Sequence, residues 1–534
     1  MASREARRET SRDASRESSS EDGGAGGAGE EAVTTNNDCR DLSRPATIGE
    51  AAGAMRARLD GPAAAPVARI STDSRTIGRG DLFFALRGPT FDAHDFLTDV
   101  AAAGACGVVC ESGRGERARS VAREGQGPVA ILEVPDTLRA LGDLAAWQRR
   151  GFGGPLVAIT GSNGKTTTKE MLRAIFVARF GEPAVLATRG NLNNLIGVPL
   201  TLFGLGPGHE AAVVEMGMNV PGEIARLAEI ARPTVGLVTC VAEAHLEGLG
   251  SIEGVARAKG ELFEGLPPGA VAVVNSDDPH VVRESARVAG KRILFGSAGE
   301  VRASSIRCDR IDAASFVLEH AGARAPVELP LGGRHNVQNA LGAAAAALAA
   351  GVTLEDAAAG LSRMTPPPMR MAAERLSNGV TLINDAYNAN PGSLGAALAT
   401  VGGLSARSIL VIGDMLELGP RSAELHRRVG AQAAAIRPAL VCAYGRHAAD
   451  VGAGATNAGM DSAHVHVCAR HEEAAAAVAR AWLPGDAVLV KGSRGSTMER
   501  VVEMLRLRAG GDAAATSQSL EAREEAHAAA ARRG

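Results

Sequence analysis

A glycine-rich turn near residue 161 has the residue types that bind phosphate groups. It lies in the stretch LVAITGSNGKTTTKEML, where Gly161 stands three positions before Gly164. The usual phosphate-binding loop is longer, with the spacing G-x-x-x-x-G-K-[ST]. A helix that begins at Lys165 would still present free N–H groups and a positive dipole end to an anion. Because Lys165 can then reach the outer phosphates and the Thr166 hydroxyl can ligate Mg²⁺, the turn is predicted to bind a nucleotide.

Three other side chains could take part in the same chemistry. Glu215 follows the apolar run AAVV, while His245 and Lys259 lie in the segment LVTCVAEAHLEGLGSIEGVARAKGELF. A carboxylate at a strand end beside a phosphate loop suits Mg²⁺, although an isolated glutamate could equally be a surface residue. Taken alone, His245 is more often a hydrogen-bonded structural histidine and Lys259 a solvated helix residue. Residue types by themselves leave both alternatives open.

The elements that must position these residues are indicated by nearly unbroken apolar runs. PLVAIT, AAVVEM, TVGLVT and AVAVVN are typical of strands buried in a parallel sheet, and they alternate with helical segments. After the proline-rich segment MTPPPMRM, the runs VTLINDAY, SILVIGDM, ALVCAYG and DAVLVKGS repeat the pattern. These runs predict an α/β protein with two larger parallel-sheet domains. Ligands gather at the carboxyl ends of such strands, which is where Glu215 lies.

The domain organisation follows from length and from shifts in composition. A chain of 534 residues is too long for one core. Polar, Ser/Gly-rich ends and the linkers near residues 153 and 366 divide it. The predicted parts are a disordered tail over 1–44, a small α/β substrate domain over 45–152, a central P-loop-type parallel-sheet ATPase domain over 153–365, a C-terminal Rossmann-like α/β domain over 366–508, and a disordered tail over 509–534.

Composition argues against several classes of protein. The formal net charge is −3 at pH 7 and aromatic residues are 3%, so no basic field or stacking platform favours nucleic acid. No run approaches the ~18 apolar residues that a membrane span requires. Seven scattered cysteines without framework spacing indicate reduced thiols in a cytoplasm. A cytoplasmic monomer without membrane insertion is therefore expected.

The turn TGSNGKTTTKE resembles the ATP loop of the Mur ligase family, whose members form amide bonds with ATP in cell-wall precursor assembly. The resemblance implies ATP and Mg²⁺ as cofactors. It implies that one stretch binds the ATP phosphates: Gly161, Ser162, Asn163, Gly164, Lys165, Thr166 and Thr167.

The same resemblance gives the three distant side chains specific roles. In the family, the residue matching Glu215 holds Mg²⁺ together with Thr166, and the residue matching His245 holds a second Mg²⁺. The lysine matching Lys259 is carbamylated by CO₂, which turns a cation into an anion that can approach metal ions. This chain departs from the family where Cys240 replaces a usual Asn and Ala242-Glu243 replace Gly-Pro.

Further stretches resemble family segments around the adenine, ribose and γ-phosphate. GRHNVQNALGAAAAAL matches an adenine-side segment, as does NSDDP less strongly. An arginine just after the proline linker matches one that reaches the γ-phosphate, and an acid in INDAYNANP matches one near the ribose. The residues implied are His335, Asn336, Asn339, Asn275, Arg370 and Asp385.

Several stretches resemble the branch of the family that adds D-alanyl-D-alanine to UDP-N-acetylmuramoyl-tripeptide. They include STDSRTIGRGDLFFAL, GNLNNLIGVPLTL, INDAYNANPGS, VIGDMLELG and VLVKGSRG, within about residues 46–505. The match implies substrate contacts near the uridine nucleotide, the muramyl peptide and the dipeptide. In that order the implied residues are Ser74 and Arg75; Asn193 and Asn194; and Tyr387, Asn388 and Asn390.

The resemblance also implies a mechanism. The tripeptide carboxylate attacks the γ-phosphate of ATP to give an acyl phosphate, which the dipeptide amine then attacks. The implied catalytic residues are Lys165, Lys259, His245 and Arg370. Stabilising the transferred phosphoryl group between three domains implies closure at the two linkers. The third residue of the tripeptide stays open between lysine and diaminopimelate.

Two other functions are compatible with part of the sequence. One is another ligase of the superfamily, either a folylpolyglutamate synthase or an amino-acid-adding Mur ligase, against which NNLIGVP and DAYNANP argue. The other is a non-catalytic nucleotide-binding scaffold, which the altered loop at residues 240–243 would permit. The complete set of Lys165, Glu215, His245, Lys259 and Arg370 favours an active enzyme.

Overall fold

The computed structural model describes residues 39–88, 90–116, 118–119 and 129–510. Most of the two predicted tails, at residues 1–38 and 511–534, lies outside the described residues. Three β-sheets follow one another along the described chain, each packed against helices. This mixed α/β architecture with three sheet regions is the fold class that the sequence predicts.

The first sheet has six strands in the spatial order β1-β3-β4-β5-β6-β2. Its strands are β1 (Cys39–Thr47), β2 (Arg58–Asp60), β3 (Pro66–Ser71), β4 (Asp81–Phe84), β5 (Gly107–Glu111) and β6 (Ala130–Val134). Strands β3 to β6 run parallel, while β1 and β2 are antiparallel edge strands. Residues 39–44 therefore do not belong to the predicted tail. Backbone pairing with β3 orders this polar stretch, and composition alone does not reveal such pairing.

Among the described residues, three complete α-helices accompany the first sheet. They are α1 (Ile48–Met55), α2 (Leu97–Ala102) and α3 (Thr137–Arg149). Helix α1 begins with a reciprocal cap, in which the Thr47 hydroxyl accepts the Glu50 N–H and the Glu50 carboxylate accepts the Thr47 N–H. The Asp136 side chain caps α3 in a similar way by accepting the N–H of Arg139. Local side-chain chemistry thus defines where both helices start.

The second sheet has nine strands in the order β15-β14-β13-β12-β11-β10-β7-β9-β8. Its strands are β7 (Leu156–Thr160), β8 (Val185–Ala187), β9 (Ala211–Glu215), β10 (Val235–Val238), β11 (Val271–Asn275), β12 (Lys291–Phe295), β13 (Val301–Arg307), β14 (Ala314–His320) and β15 (Ala323–Leu329). All neighbouring pairs from β8 across to β13 are parallel, whereas β14 is antiparallel to both β13 and β15. The four apolar runs predicted as buried strands form β7, β9, β10 and β11.

Eight helices surround the second sheet. They are α4 (Lys165–Phe180), α5 (Gly197–Phe203), α6 (Glu223–Ala231), α7 (Leu246–Leu249), α8 (Ile252–Glu264), α9 (Pro279–Glu284), α10 (Arg334–Ala349) and α11 (Leu354–Arg363). Helix α10 is the alanine-rich segment of the sequence, and its residues from Ala343 to Ala347 are buried. It packs against α4.

The third sheet has the order β16-β17-β21-β18-β19-β20 and is parallel except for β16. Its strands are β16 (Ala372–Arg375), β17 (Thr381–Asp385), β18 (Ser408–Gly413), β19 (Leu440–Tyr444), β20 (Val465–Cys468) and β21 (Ala487–Lys491). Its helices are α12 (Pro391–Gly402), α13 (Ser422–Ala435), α14 (Ala448–Asn457), α15 (His471–Ala481) and α16 (Glu499–Ala509). Within the described residues, no helix has both the length and the apolar character that crossing a membrane requires.

The first and second sheet regions are joined through α3. This helix packs on α5 and α6 of the second region. The buried Arg149 guanidinium donates hydrogen bonds to the carbonyls of Ala231 (2.8 Å), Arg232 (3.1 Å) and Phe152 (2.7 Å). Because the first two carbonyls lie at the carboxyl end of α6, the arginine caps that helix from a neighbouring region of the chain.

Candidate active site

The predicted phosphate turn connects β7 directly to α4. Gly161 has φ 151° and Gly164 has φ 81°, conformations that favour glycine. A Cβ atom at Gly161 would overlap Thr239, and one at Gly164 would overlap Asn339. Both glycines are therefore required by backbone conformation and by close neighbours. The shortened loop still ends at the amino terminus of a 16-residue helix.

Lys165 occupies the first position of α4. Its Nζ donates a hydrogen bond to the carbonyl of Gly161 at 2.8 Å, so the side chain folds back over the turn. Burial lowers the pKa of the Lys165 ammonium, and the nearby Glu215 carboxylate opposes that change. The cation is thus held at the place where an anionic ligand of the turn would lie.

Thr166 links the phosphate turn to two distant residues. Its hydroxyl donates to Glu215 Oε2 at 2.9 Å and accepts from Arg370 Nη2 at 2.9 Å. The other carboxylate oxygen of the buried Glu215 accepts from Asn193 Nδ2 at 2.9 Å. A hydroxyl, a carboxylate and a guanidinium from three parts of the chain therefore meet beside the turn.

The third sheet region reaches the turn through two additional contacts. The Arg370 guanidinium lies over the ring of Tyr387, 4.2 Å from its centroid. Asn390 Nδ2 donates to Asn163 Oδ1 at 2.7 Å. The third region therefore contacts the phosphate turn through Arg370 and Asn390.

The loop after β10 holds the other side of the turn. The N–H of Ala242 donates to Ser162 Oγ at 2.9 Å, and the Ser162 hydroxyl donates back to the Ala242 carbonyl at 3.1 Å. The Cys240 thiol lies 3.6 Å from the carbonyl of Asn163. Burial raises the pKa of this thiol, so it is a neutral group at neutral pH. The altered residues thus still bind the loop to the phosphate turn.

His245 and Lys259 lie on the segment that follows this loop. His245 has φ 55°, and its Nδ1 lies 2.6 Å from Glu417 Oε2, which belongs to the third region. Lys259 is only 2% exposed. Burial, reinforced by the Lys165 charge, lowers the pKa of Lys259 well below its usual value. Among the described residues, no hydrogen bond or ion pair of its amine is found.

A polar cluster extends from β11 to the start of α10. Asn275 Nδ2 donates to the carbonyl of Thr239 at 2.7 Å, and Asn275 Oδ1 accepts from Gln338 at 2.8 Å. Asn339 Nδ2 donates to Asn336 Oδ1 at 3.2 Å. Because Asn275 contacts Thr239 and Asn339 lies against Gly164, this cluster borders the phosphate turn.

His335 and Asp385 lie between α10 and the third sheet. His335 Nδ1 is 3.4 Å from the Thr400 hydroxyl, and burial lowers the pKa of the imidazole. The Asp385 carboxylate forms an ion pair with Lys491 at 2.6 Å, and Lys491 also donates to the carbonyl of Asn388 at 2.9 Å. Asp385 is therefore fixed by a buried cation rather than left to solvent.

Three family models match the chain over most of its length. They are Mur ligase family, catalytic domain (residues 66–149), Mur ligase middle domain (159–347) and Mur ligase, glutamate ligase domain (369–494). A curated relative from Escherichia coli strain K12, UDP-N-acetylmuramoyl-tripeptide--D-alanyl-D-alanine ligase, is 39% identical over 82% of this chain and 93% of its own length. This chain belongs to the Mur ligase family.

Solved structures of Mur ligases have the same fold. A MurF structure from Acinetobacter baumannii has a TM-score of 0.78 at 33% identity, covering 87% of this chain and 99% of the other. MurF from Thermotoga maritima in complex with ADP has a TM-score of 0.70 at 26% identity, covering 83% and 98%. The family resemblance inferred from the sequence motifs is thereby confirmed.

The predicted substrate residues are distributed over all three regions of this Mur ligase. Ser74 and Arg75 form a short 3₁₀ turn between β3 and β4, where Arg75 Nη2 pairs with Asp73 at 2.8 Å. Asn193 contacts Glu215, whereas Asn194 accepts the N–H of Gly197 at 2.8 Å and so caps α5. Asn193 therefore lies beside Glu215, and Asn194 lies at the start of α5.

Two of the residues predicted to ligate Mg²⁺, Thr166 and Glu215, fit that ion by their chemistry. Within the described part of the chain, no group of three or more His, Cys, Asp or Glu side chains is arranged as a metal site. Mg²⁺ needs no such cage, because it is usually held by one or two carboxylates together with phosphate oxygens and water. Thr166 and Glu215 supply suitable hard oxygen atoms at 2.9 Å from each other.

Sequence reasoning missed two side chains that organise the site. Lys491 pairs with Asp385, and Glu417 pairs with His245. Both occur in stretches that carry the family resemblance, VLVKGSRG and VIGDMLELG. Their partners are more than 100 residues away in the chain, so only the tertiary structure reveals the pairs.

Proposed function

We propose that this Mur ligase uses ATP to join D-alanyl-D-alanine to UDP-N-acetylmuramoyl-tripeptide in peptidoglycan precursor synthesis. The observation that carries the proposal is the meeting of Thr166, Glu215 and Arg370 at the phosphate turn. The E. coli relative and the A. baumannii neighbour, each covered almost completely, support the choice of substrates.

ATP is needed because a carboxylate is a poor electrophile in water. The terminal carboxylate of the tripeptide attacks the γ-phosphorus, the bond to ADP breaks, and an acyl phosphate forms. The neutral amine of D-alanyl-D-alanine then attacks the acyl carbon, and inorganic phosphate leaves with formation of the amide. In this scheme Lys165 and Arg370 stabilise the charge on the transferred phosphoryl group.

Two positions are proposed for Mg²⁺. Thr166 and Glu215 would hold one ion, and His245 would hold the second. Bound Mg²⁺ supplies neutralisation of the phosphate charges. Glu417 lies against His245 Nδ1, which leaves the other ring nitrogen available as a ligand. This arrangement makes the third region part of the second metal position.

The remaining contacts with ATP and with the other two substrates are proposed from the family motifs in the sequence. Adenine is assigned to Asn275, His335, Asn336 and Asn339, and the ribose to Asp385. The phosphate turn comprises residues 161–167. For the other substrates we propose Ser74 and Arg75 at the uridine nucleotide, Asn193 and Asn194 at the muramyl peptide, and Tyr387, Asn388 and Asn390 at the dipeptide.

We propose carbamylation of Lys259 as a finer feature of this site. Burial lowers the pKa of its amine, and only a neutral amine reacts with CO₂. The nitrogen forms a bond to the CO₂ carbon and loses a proton, so that an anionic carbamate replaces a buried amine. The product anion would be stabilised by Lys165, the nearby cation that now disfavours an ammonium at this position.

The carbamate has its own test. Lys259→Ala is expected to lose nearly all activity and to regain part of it with a small added carboxylic acid. ¹³C-labelled CO₂ should give a carbamate resonance in the unchanged protein and none in the variant. Full activity of Lys259→Ala without additive would contradict the role.

We also propose that the protein acts in the cytoplasm as a monomer with domains at 45–152, 153–365 and 366–508, the first extended to include all of β1 from Cys39. The nucleotide-activated substrate and the free thiols of the described cysteines support this location. The linkers near residues 153 and 366 are the proposed hinges for domain closure.

The decisive experiment is a coupled assay of ADP release. Release should require both UDP-N-acetylmuramoyl-tripeptide and D-alanyl-D-alanine, and the product should gain the mass of the dipeptide minus water. Equal turnover without the dipeptide, or a preference for single amino acids or folate with glutamate, would favour the other ligases of the superfamily. Tripeptides with lysine and with diaminopimelate should be compared.

A further inference from the structure

A second contact between the central and third regions lies outside the nucleotide site. It joins the loop 240–247, which follows β10, to the segment 414–428, which follows β18. At its centre Glu243 lies between Arg421 and Arg428. We call these three residues the Glu243 clasp.

The geometry of the clasp engages both oxygens of one carboxylate. Glu243 Oε1 lies 3.0 Å from Arg421 Nη1, and Oε2 pairs with Arg428 Nη2. The Glu243 side chain is 20% exposed, whereas the two arginines are 49% and 42% exposed. A carboxylate bound by two guanidinium groups is more strongly held than an isolated surface pair, although salt weakens it.

Both segments that the clasp joins are fixed by further contacts. Glu417 pairs with His245, and its carbonyl accepts the N–H of Glu247 at 3.3 Å. Within the segment 414–428, His426 Nε2 accepts the N–H of Met415 at 2.9 Å. The clasp therefore acts on two ordered loops, one of which carries His245.

We propose that Glu243 is a positioning residue, whose contacts with Arg421 and Arg428 hold the third domain over the nucleotide site and fix the His245 loop. The kinetic part of this inference rests on the proposed ligase activity. Its conformational part does not, because closure can be measured with ADP and Mg²⁺ alone.

The kinetic test uses Glu243→Ala, the pair Arg421→Glu with Arg428→Glu, and the triple variant that adds Glu243→Arg to that pair. If fewer molecules are closed, the apparent affinity for the last substrate falls in proportion. The KM for D-alanyl-D-alanine should rise about three- to tenfold in Glu243→Ala, with kcat changed less than about twofold. The triple variant should recover a KM close to that of the unchanged enzyme.

A matched control is available on the same helix. Glu424 also binds Arg421, at 2.8 Å, but within the third region. Glu424→Ala should leave the KM within about twofold, because no link between regions is removed. Raising the salt concentration should raise the KM of the unchanged enzyme and have less effect on Glu243→Ala.

Small-angle X-ray scattering with ADP and Mg²⁺ measures closure without catalysis. Glu243→Ala and the arginine pair variant should have a larger radius of gyration than the unchanged protein, and the triple variant should return to the compact value. An unchanged radius in Glu243→Ala, or no recovery in a triple variant that melts at the normal temperature, would overturn the proposal. If the unchanged protein lacked ligase activity, the proposed function would fail while scattering still decided the role of the clasp.

Discussion

At the scale of single residues, the buried Lys259 is the side chain whose chemistry depends most on its surroundings. Its amine is enclosed near Lys165, and burial lowers its pKa well below the usual value. The folded protein therefore favours the neutral amine, whereas the unfolded chain binds a proton up to a pKa of about 10.4. Between these two pKa values the unfolded state holds more protons, so this residue makes stability increase with pH.

We therefore expect Lys259→Met to stabilise the CO₂-free protein at neutral pH. The expected rise in melting temperature is on the order of 2–4 °C, which corresponds to about 1 kcal/mol for a domain of the central region's size. The gain should shrink as the pH approaches ~10.4, because the unfolded lysine then loses its proton as well. Calorimetry from pH 7 to 10.5 measures the difference in melting temperature between the variant and the unchanged protein. A difference that does not depend on pH would contradict the buried-amine explanation.

At the scale of elements, the glycines at the two ends of helix α4 differ in the space around them. Gly164 at the amino end and Gly181 at the carboxyl end have similar φ values, 81° and 88°. A Cβ atom at Gly164 would overlap Asn339, whereas one at Gly181 would have no heavy atom within 4 Å. Replacing each glycine with alanine therefore distinguishes two effects. Both variants strain the backbone, but only Gly164→Ala introduces a steric overlap in the phosphate turn.

Gly164→Ala is expected to weaken ADP binding at least tenfold, about 1.4 kcal/mol, because the turn must move away from Asn339. Gly181→Ala should cost about 1 kcal/mol of stability without changing the affinity for ADP. Isothermal titration with ADP and Mg²⁺, together with thermal unfolding, measures both quantities. Equal affinities in the two variants would show that the turn does not need its close approach to α10.

At the scale of the whole molecule, Arg149 is a link between the first and second sheet regions. Its guanidinium donates to three carbonyls and caps α6 from the end of α3. The adjacent Arg150 is exposed and offers a matched control. Burial lowers the pKa of the Arg149 guanidinium, and the three carbonyls that accept its hydrogen bonds stabilise its charge.

Arg149→Met is expected to destabilise the protein by about 2–4 kcal/mol, since three carbonyls, one of them buried, lose a charged donor. The first region should then unfold in a separate, earlier transition. Arg150→Met should change stability by less than about 0.5 kcal/mol. Differential scanning calorimetry measures both variants, and one unshifted transition in Arg149→Met would contradict the role of this residue as a link.

Much of this protein was determined by its local sequence. The glycine turn and the start of α4 are adjacent in the chain, so their types and spacing predict a phosphate site directly. The central strands were equally predictable, because strands buried on both faces of a sheet consist of short apolar runs; these are β7, β9, β10 and β11. The edge strand β1 was not, since its order comes from pairing with β3 and not from an apolar pattern.

Only the tertiary structure decided which distant side chains meet. Thr166 contacts residues 49 and 204 positions away, and Glu243 contacts residues 178 and 185 positions away. Local periodicity specifies each strand and helix but not how the edges of two sheets face each other. The sequence thus determined the phosphate turn and the α/β elements. Folding of the central sheet brought Glu215 to Thr166, and packing of the third region on it brought Arg370 and Glu417 to their partners.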